Sequence, residues 1–154
     1  MTTLTLRAAT LDDADNLLRW RNDPVAVAVS QTQRAVTLDE HLAWLHDVLS
    51  YQIPVHLFVI EENGVGIGSC RLASELARLS TAWVSLVLTP ELRGNRYGWQ
   101  ALDLLMGEAV RRQFAVLKAT INRNNLPSRR LFSGRGFVIA NSPTEEWLEY
   151  ERTL

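Results

Sequence analysis

Three β-rich runs follow one another in the middle of the sequence: Val55–Glu61, Val65–Leu72 and Ala82–Leu88. The first two are joined around Asn63-Gly64, a dipeptide that tolerates the positive φ angles of a tight hairpin turn. Helical patterns precede and follow this group of strands, so strands and helices do not alternate regularly. The sequence therefore predicts a mixed α/β domain rather than a regular Rossmann alternation.

Two helices are predicted before these strands. Thr10 is a suitable N-cap for the first, and acidic residues in the following turn favour the positive end of a helix dipole. The second begins at Thr37-Leu38-Asp39-Glu40, which has the spacing of a capping box, after a chain break at Asn22-Asp23-Pro24. The predicted apolar faces are Leu11, Ala14, Leu17 and Leu18 in the first helix and Leu38, Leu42, Leu45 and Leu49 in the second.

A long amphipathic helix is predicted after Gly98 and a short one near Pro127, whose missing N–H costs nothing in a first turn. The remaining predicted strands are Leu4–Arg7, Phe114–Ile121, Phe137–Ala140 and Glu145–Thr153. The predicted order is strand, two helices, three strands, helix, strand, helix and two strands. Without repeats or linkers in its 154 residues, the chain is expected to form one domain over residues 1–154.

Composition excludes several classes of protein. The chain is 47% hydrophobic, which argues against intrinsic disorder. Cys70 is the only cysteine, so an intrachain disulfide and a thiolate metal cluster are excluded; it lacks a histidine partner and is not expected to act as a nucleophile. No stretch approaches the ~20 apolar residues of a membrane helix, and no signal peptide pattern is present. We expect a cytoplasmic monomer or homodimer without a metal.

The formal net charge of −1 hides a segregation along the chain. Residues 93–137 carry nine basic and two acidic side chains, a local net charge of +7. Residues 1–92 have a net charge of −5 and residues 138–154 a net charge of −3. The near-neutral total argues against a nucleic-acid or membrane-surface binder, whereas the basic segment indicates an anionic partner for that part of the chain.

The segment Leu86–Gly98 runs from a predicted strand through a loop with two glycines into the long helix. Free N–H groups at a helix start, together with the positive end of the helix dipole, form an anion site. Gly94 and Gly98 would let phosphate oxygens approach the backbone closely. The loop lacks the Gly-Lys-Ser/Thr of a Walker motif, and Arg96 and Gly98 break the glycine spacing of a dinucleotide fingerprint.

A second segment, Asn122–Phe137, strengthens this interpretation. Arg93–Gly98 resembles the Arg/Gln-x-x-Gly-x-Gly/Ala pyrophosphate loop of the GNAT superfamily of acetyl-CoA-dependent N-acetyltransferases. The second segment is similar to the family's Asn-x-x-Asn-x-x-Ser-x-x-Leu-Tyr-x-x-x-Gly-Phe stretch. The residues in register are Asn122, Asn125, Ser128, Leu131, Gly136 and Phe137. The resemblance covers essentially the whole chain.

The resemblance implies an α/β fold in which a mostly antiparallel twisted sheet of about seven strands is splayed between strands four and five and flanked by about four helices. It also implies direct acetyl transfer from acetyl-CoA, the co-substrate, to a primary amine in a ternary complex. By family analogy, the cofactor-binding residues are the backbone of Leu86, Val87 and Leu88, the loop residues Arg93, Gly94, Asn95, Arg96, Tyr97 and Gly98, and Asn125 with Ser128.

The sequence departs from the family pattern at three positions. Arg96 stands where the phosphate loop usually has glycine, so either the loop is reshaped or the guanidinium contacts a phosphate directly. Phe132 stands where the family usually has a tyrosine thought to protonate the departing thiolate, and phenylalanine has no such proton. Trp83 occupies the position of a carboxylate base in many relatives, so no catalytic base is assigned. The candidates for relaying a proton through water are Glu40, His41 and Asp23.

Trp20–Asp23 and His41–Trp44 most resemble small bacterial enzymes that acetylate nucleotide-activated 4-amino sugars, which are neighbours of the ribosomal-protein N-terminal acetyltransferases. The favoured acceptor is therefore a nucleotide-linked amino sugar. Plain packing is the favoured interpretation of the two tryptophans, whereas Arg21-Asn22-Asp23 fits a helix-ending turn and a substrate loop equally well. The candidate substrate-binding residues are Arg21, Asn22 and Trp83, with Arg21 or Arg34 as a second phosphate contact. The alternatives are a protein N-terminal amine as acceptor and, because of Phe132, an acyl-CoA-binding module with weak or no transfer activity.

Overall fold

The computed structural model describes residues 3–93 and 96–154, which build a seven-stranded sheet flanked by helices. The strands are β1 (Leu4–Ala8), β2 (Val55–Glu62), β3 (Val65–Glu75), β4 (Arg78–Leu88), β5 (Val116–Asn122), β6 (Val138–Asn141) and β7 (Trp147–Thr153). The helices are α1 (Ala14–Arg21), α2 (Pro24–Ala28), α3 (Leu38–Leu49), α4 (Tyr97–Arg111) and α5 (Leu126–Gly134).

The sheet has the order β1-β2-β3-β4-β5-β7-β6, and every neighbouring pair is antiparallel except β4 and β5. Those two strands pair in parallel over three residues each, Thr81–Trp83 with Val116–Lys118. Within the described ranges, the rest of β4 has β3 as its only strand neighbour, so the sheet opens between β4 and β5. The predicted seven-stranded, mostly antiparallel sheet, splayed between strands four and five, is confirmed.

The helical region before the hairpin differs from the prediction. A 3₁₀ turn follows Thr10, and the chain becomes α-helical only at Ala14. The additional helix α2 follows the predicted break, because the Asp23 carboxylate accepts hydrogen bonds from the backbone N–H groups of Val25 and Ala26 and caps it. Three helices therefore precede the hairpin instead of two, and five flank the sheet instead of about four.

The buried face of α3 is also not the one predicted from its leucine spacing. The capping box of Thr37 and Glu40 forms as predicted. However, Leu38 and Leu42 are exposed, whereas His41, Leu45 and Val48 are buried. The imidazole can be buried because its Nε2 makes a hydrogen bond with the backbone carbonyl of Ala14, at 3.1 Å. A polar side chain thus displaces leucines from the face that packs on α1, and Leu11 of the first helical region is likewise exposed.

Two hydrophobic clusters attach the helices to opposite faces of the sheet. Consecutive residues of β2 alternate between the clusters, as expected for a strand covered on both sides. One cluster joins the sheet to α4 and α5, and the other joins it to α1 and α3. Trp20 is 2% exposed within the second cluster, so it is a core residue. In residues 3–93 and 96–154, no helix combines the length and apolarity that a membrane span needs.

Candidate active site

A cleft of about 1090 Å³ lies where β4 and β5 diverge. Residues of α4 and α5 line it from one face of the sheet, and residues of α2, which packs beside α1, line it from the other. The strands contribute residues 83–88 of β4, 119–122 of β5 and two side chains each from β3 and β7. The cleft therefore passes through the sheet and can admit one ligand from each side.

Leu86, Val87 and Leu88 line this cleft at the end of β4. On one side they pair with Cys70, Ser69 and Gly68 of β3, and on the other side they face the opening. The peptide groups of a strand point alternately to its two sides, so this edge offers hydrogen bonds to an extended ligand. The structure thus places the three predicted cofactor-binding residues together, at an edge of the kind that an added strand would use.

Helix α4 begins at the same end of the cleft. Its first turn starts at Tyr97, and Gly98 and Trp99 line the cleft. A Cβ at Gly98 would lie 3.3 Å from Leu131 Cδ2, so glycine permits the close approach of α4 and α5 here. The first-turn N–H groups and the helix dipole favour an anion at this point. Gly94 and Asn95, also predicted to bind the cofactor, lie outside the described residues.

Arg93 is held by an ion pair that crosses from the α4 side of the cleft to α2. Its Nη1 donates to the carboxylate of Asp23 at 2.7 Å, and its Nη2 donates to the Leu88 carbonyl at 3.0 Å. The guanidinium lowers the pKa of Asp23 from its usual range. Arg93 therefore positions the loop through its side chain, and its backbone N–H donates to the Pro90 carbonyl at 3.3 Å, so neither is free for the predicted contact with pyrophosphate.

Asn125 and Ser128 lie on the cleft at the start of α5. Asn125 caps the helix, because its Oδ1 accepts a hydrogen bond from the Ser128 backbone N–H at 3.3 Å. Phe132 also borders the cleft, is 5% exposed, and packs edge-on against Phe137 with ring centroids 5.0 Å apart. The position of the family's usual tyrosine is thus part of an aromatic contact and supplies no hydroxyl.

Most arginines of the basic segment have structural partners. Arg123 donates to the Glu145 carbonyl, Arg129 donates to Tyr150 Oη at 3.0 Å, and Arg135 pairs with Asp103. Arg96 and Arg130 have no ion pair among residues 3–93 and 96–154, and Arg130 lines the cleft. The segregated positive charge is therefore largely used to hold loops, and a smaller part is left for a ligand.

The three predicted substrate-binding residues are not equivalent. Trp83 lines the cleft, with Lys118 Nζ 5.3 Å from its ring centroid. Asn22 makes two hydrogen bonds of 2.8 Å with the backbone of Val36 and so ties the segment after α2 to the end of α1. Arg21 lies against Trp44 rather than on the cleft wall. Only Trp83 is in position to contact a ligand in the cleft directly.

Sequence reasoning missed three residues that line the cleft: Arg71, Trp147 and Glu149. Trp147 and Glu149 alternate with buried residues along β7, opposite Asn122 and Thr120 of β5. Glu149 is the one carboxylate among the described cleft residues, and one of its oxygens accepts a hydrogen bond from Asn141 Nδ2 at 3.2 Å. The alternation of outward and inward residues along β7 can be recognised in the sequence. The sequence does not show that β5 is the strand beside it.

The groups considered for a water relay are poorly suited to accept a proton. The Arg34 guanidinium, 2.8 Å from the Glu40 carboxylate, lowers the pKa of Glu40 to about 2. Burial lowers the pKa of His41, whose Nε2 contacts a backbone carbonyl and whose Nδ1 has no hydrogen-bond partner in the described part of the chain. Asp23 is paired with Arg93. Burial raises the pKa of the Cys70 thiol, which disfavours the thiolate that a nucleophile needs.

Within the described ranges, no three His, Cys, Asp or Glu side chains are grouped as a metal site would require. The donors at the cleft are of a different kind: backbone groups of β4, first-turn amides of α4 and the Asn125 amide. Such a set suits an extended amide-containing chain that ends in phosphate. The residues present therefore fit a coenzyme A molecule.

The sequence profile of the acetyltransferase (GNAT) domain matches residues 3–138 of this chain. No curated protein sequence matches this chain. Among solved structures, the chain is similar to a ribosomal-protein-alanine N-acetyltransferase from Brucella melitensis, with 22% identity over 97% of this chain and 99% of the other and a TM-score of 0.80. It is also similar to yncA from Salmonella typhimurium with its cofactor acetyl-CoA, with 24% identity over 99% and 94% and a TM-score of 0.80.

A third similar structure is AAC(6')-Ib in complex with ribostamycin and coenzyme A, with 17% identity over 98% of this chain and 93% of the other and a TM-score of 0.86. At these identities the structures establish a shared fold. The match to the profile covers most of the chain, from before β1 to the start of β6.

Proposed function

Because the chain belongs to the acetyltransferase (GNAT) domain family, we propose that it acetylates the primary amine of a nucleotide-linked amino sugar, with residues 1–154 acting as a single N-acetyltransferase domain in the cytoplasm. The acetyl donor is acetyl-CoA. The observation that carries the choice of acceptor is the side of the cleft away from α4 and α5, where Trp83 and Trp147 accompany the Arg71 guanidinium. Indole rings stack on sugars and bases, and a guanidinium binds phosphate.

In this proposal the end of β4 and the start of α4 bind the donor. The open edge of Leu86–Leu88 pairs with the pantetheine chain, and the amides of the loop between Arg93 and Gly98 hold the pyrophosphate. Asn125 and Ser128 contact the donor near its reacting end. Bound acetyl-CoA supplies a thioester carbonyl, and a backbone N–H of β4 aimed at that carbonyl would stabilise the negative charge that develops on its oxygen.

The acceptor enters from the α2 side and must present a neutral amine. Alkyl amines have a pKa of about 8–10 in water, so a group in the cleft has to take up a proton before attack. Glu149 is the described cleft carboxylate that can do so, directly or through a water molecule. Most of the remaining rate enhancement comes from holding the amine and the thioester carbonyl in the reactive orientation, because the two reactants then lose little further freedom of movement on reaching the transition state.

Two alternatives have observations in their favour. A protein N-terminal amine fits the similarity of fold to a ribosomal-protein-alanine N-acetyltransferase. An acyl-CoA-binding module fits Phe132, which lies within the aromatic contact with Phe137 and provides no proton for the departing thiolate. The first alternative needs a groove that admits a peptide, whereas the second needs only the donor half of the cleft.

The test measures release of free CoA thiol from acetyl-CoA in the presence of nucleotide-linked amino sugars, peptides with free N-termini or polyamines. We expect release with the amino sugars. The variant Phe132→Tyr restores a phenol and should raise kcat, by at most about 100-fold, the lower end of what a positioned acid contributes. If Phe132→Tyr and the unmodified protein both bind acetyl-CoA tightly and release no thiol with any amine, the binding module replaces the enzyme.

A further inference from the structure

Two arginines from different elements lie against the same indole. The guanidinium Cζ of Arg21, at the end of α1, is 5.2 Å from the centroid of the Trp44 ring, and that of Arg71, in β3, is 5.5 Å from it. Each contact is favourable, because the face of an indole carries partial negative charge. The two cations nevertheless repel each other, and burial together with the charge of Arg21 lowers the pKa of Arg71.

Neither guanidinium has a carboxylate within ion-pair distance in residues 3–93 and 96–154. The acidic group that acts on Arg21 is Glu40, and Glu40 is already held by both terminal nitrogens of Arg34, at 3.1 and 2.8 Å. Two guanidinium groups, those of Arg21 and Arg34, therefore share one carboxylate. The cluster keeps an excess of positive charge that a bound anion would neutralise.

This charge is placed on the side of the cleft proposed for the acceptor. Arg71 lines the cleft and lies directly opposite Ser85 in the register of β3 and β4. Its neighbour on the same face, Ala73, lies opposite Trp83. Ser85 and Trp83 also line the cleft. If the acceptor lies along β4, a group attached to the part of the molecule that carries the amine would therefore reach Arg71.

We propose that Arg71, supported by Trp44 and by the positive charge of Arg21, binds an oxyanion of the acceptor and so selects amines that carry a phosphate or carboxylate group. The inference rests on the proposed function, since it assumes that the acceptor occupies this side of the cleft. A guanidinium presents parallel N–H donors that match phosphate and carboxylate oxygens. The diphosphate of a nucleotide-linked sugar has this chemistry. Arg34 is not part of the site, because Glu40 holds it.

The first experiment measures binding without any transfer. Protein saturated with CoA is titrated with UDP and with uridine, and affinity is followed by calorimetry and by tryptophan fluorescence. We expect UDP to bind at least tenfold more tightly than uridine, and Arg71→Gln to remove that advantage while leaving uridine unchanged. Arg78→Gln is the charge-matched control, since Arg78 is exposed at the start of β4 and outside the cleft.

The second experiment distinguishes phosphate from carboxylate during transfer. Acetylation of glucosamine, glucosamine 6-phosphate and muramic acid is compared, because the last two add a phosphate and a carboxylate to the same amino sugar. We expect one of the two anionic acceptors to be preferred over glucosamine, and this preference should disappear in Arg71→Gln and partly return in Arg71→Lys. That result supports the site and identifies phosphate or carboxylate as its anion. Thermal unfolding of each variant shows whether the fold is retained.

The outcomes separate this inference from the proposed function. Binding of UDP that depends on Arg71, without acetylation of any amine, supports the anion site and removes the proposed activity. Acetylation of glucosamine and its two anionic derivatives at equal kcat/KM, unchanged in Arg71→Gln, overturns the anion site and leaves the activity in place. Equal affinities for UDP and uridine also overturn it.

Discussion

The two halves of the cleft present different kinds of chemical group to a ligand, backbone groups in one half and side chains in the other. The half that we propose for the donor lies at the end of β4 and the start of α4 and α5. It offers backbone groups and a capping amide, and most of its arginines are tied to other residues. The half that we propose for the acceptor offers side chains: Trp83, Trp147, Glu149 and Arg71. These come from three strands that meet only in the folded sheet.

This difference suggests how the two halves can change independently. Backbone groups present the same donors and acceptors for any sequence that keeps the strand and the helix start, so the donor half suits one constant ligand. Side chains on separate strands can be replaced one at a time without disturbing that frame. We therefore expect substitutions in the donor half to change binding by displacing the backbone. Substitutions in the acceptor half should change activity by removing a particular side-chain group.

The largest effect is expected at Gly68, which lies opposite Leu88 in β3 and β4. A Cβ there would lie 2.2 Å from the Val87 carbonyl oxygen and 3.0 Å from Leu88 Cα, both backbone atoms that cannot turn aside. Gly68→Ala should lower the free energy of unfolding by about 3 kcal/mol, the upper range for overpacking, and abolish CoA binding. Gly107→Ala is the control, because the nearest atom to its added Cβ is the Arg111 Nη1, 3.8 Å away.

Gly107→Ala should raise stability by at most about 1 kcal/mol, the usual gain for glycine to alanine inside a helix. Chemical denaturation and calorimetric titration with CoA measure both quantities. Normal CoA affinity in Gly68→Ala would show that the end of β4 does not set the donor half.

A smaller effect, confined to chemistry, is expected at Glu149. Glu149→Gln keeps the shape of the side chain and still allows the hydrogen bond with Asn141, but it removes the carboxylate. We therefore expect kcat to fall by about 100-fold with little change in the KM for acetyl-CoA. Glu151→Gln, two residues along the same strand and outside the cleft, should behave like the unmodified protein.

Equal activity of Glu149→Gln and the unmodified protein across the pH range would mean that no proton passes through this carboxylate. The acceptor half would then act by binding alone.

The smallest effect is expected at the ion pair between the two halves. Asp23→Asn can still cap α2 but loses the charge that holds Arg93, so the KM for acetyl-CoA should rise about threefold and stability should fall by about 1 kcal/mol. Asp13→Asn is the matched control, because Asp13 pairs with Arg7 at 2.7 Å outside the cleft and should lose stability without a change in KM.

The sign of the pH dependence follows from the lowered pKa of Asp23 and Asp13. A carboxyl group whose folded pKa lies below its unfolded value of about 3.9 stabilises the fold above that pH and loses this contribution as the pH falls through the folded pKa. The stability difference between each variant and the unmodified protein should therefore be constant from pH 5 to 8 and shrink below about pH 4. A difference that shrinks near neutral pH instead would contradict both assignments.

Elements with local signals were predicted well. The hairpin at Asn63-Gly64, the capping box at Thr37 and the helix following the two-glycine loop depend on residues close together in sequence, and all three form. The predicted faces of the first two helices failed in part. His41 is buried because it meets the Ala14 carbonyl of another helix, and no spacing within α3 contains that information.

Within the site, the same division holds. The segments containing Leu86–Leu88 and Asn125 were identified through their resemblance to the family's motifs, and the structure brings them to one cleft. Arg71 carried no signal, and the alternation along β7 indicated only the face on which Glu149 lies, since an arginine in one strand and a glutamate in another look like ordinary surface residues until the strands are placed.

By itself, the sequence determined the order of the seven strands and the strand-to-helix junction, because backbone conformation at these points depends on neighbouring residues. The resemblance of its two motifs to the family added the segments that line the proposed donor half, whereas the additional helix α2 was not predicted. Only the tertiary structure decided which side chains form the acceptor half. It placed β5 between β4 and β7 and paired β4 with β5 over three residues each before they diverge. That divergence sets Arg71 and Glu149 around one cleft, which local spacing cannot specify, since they are far apart along the chain.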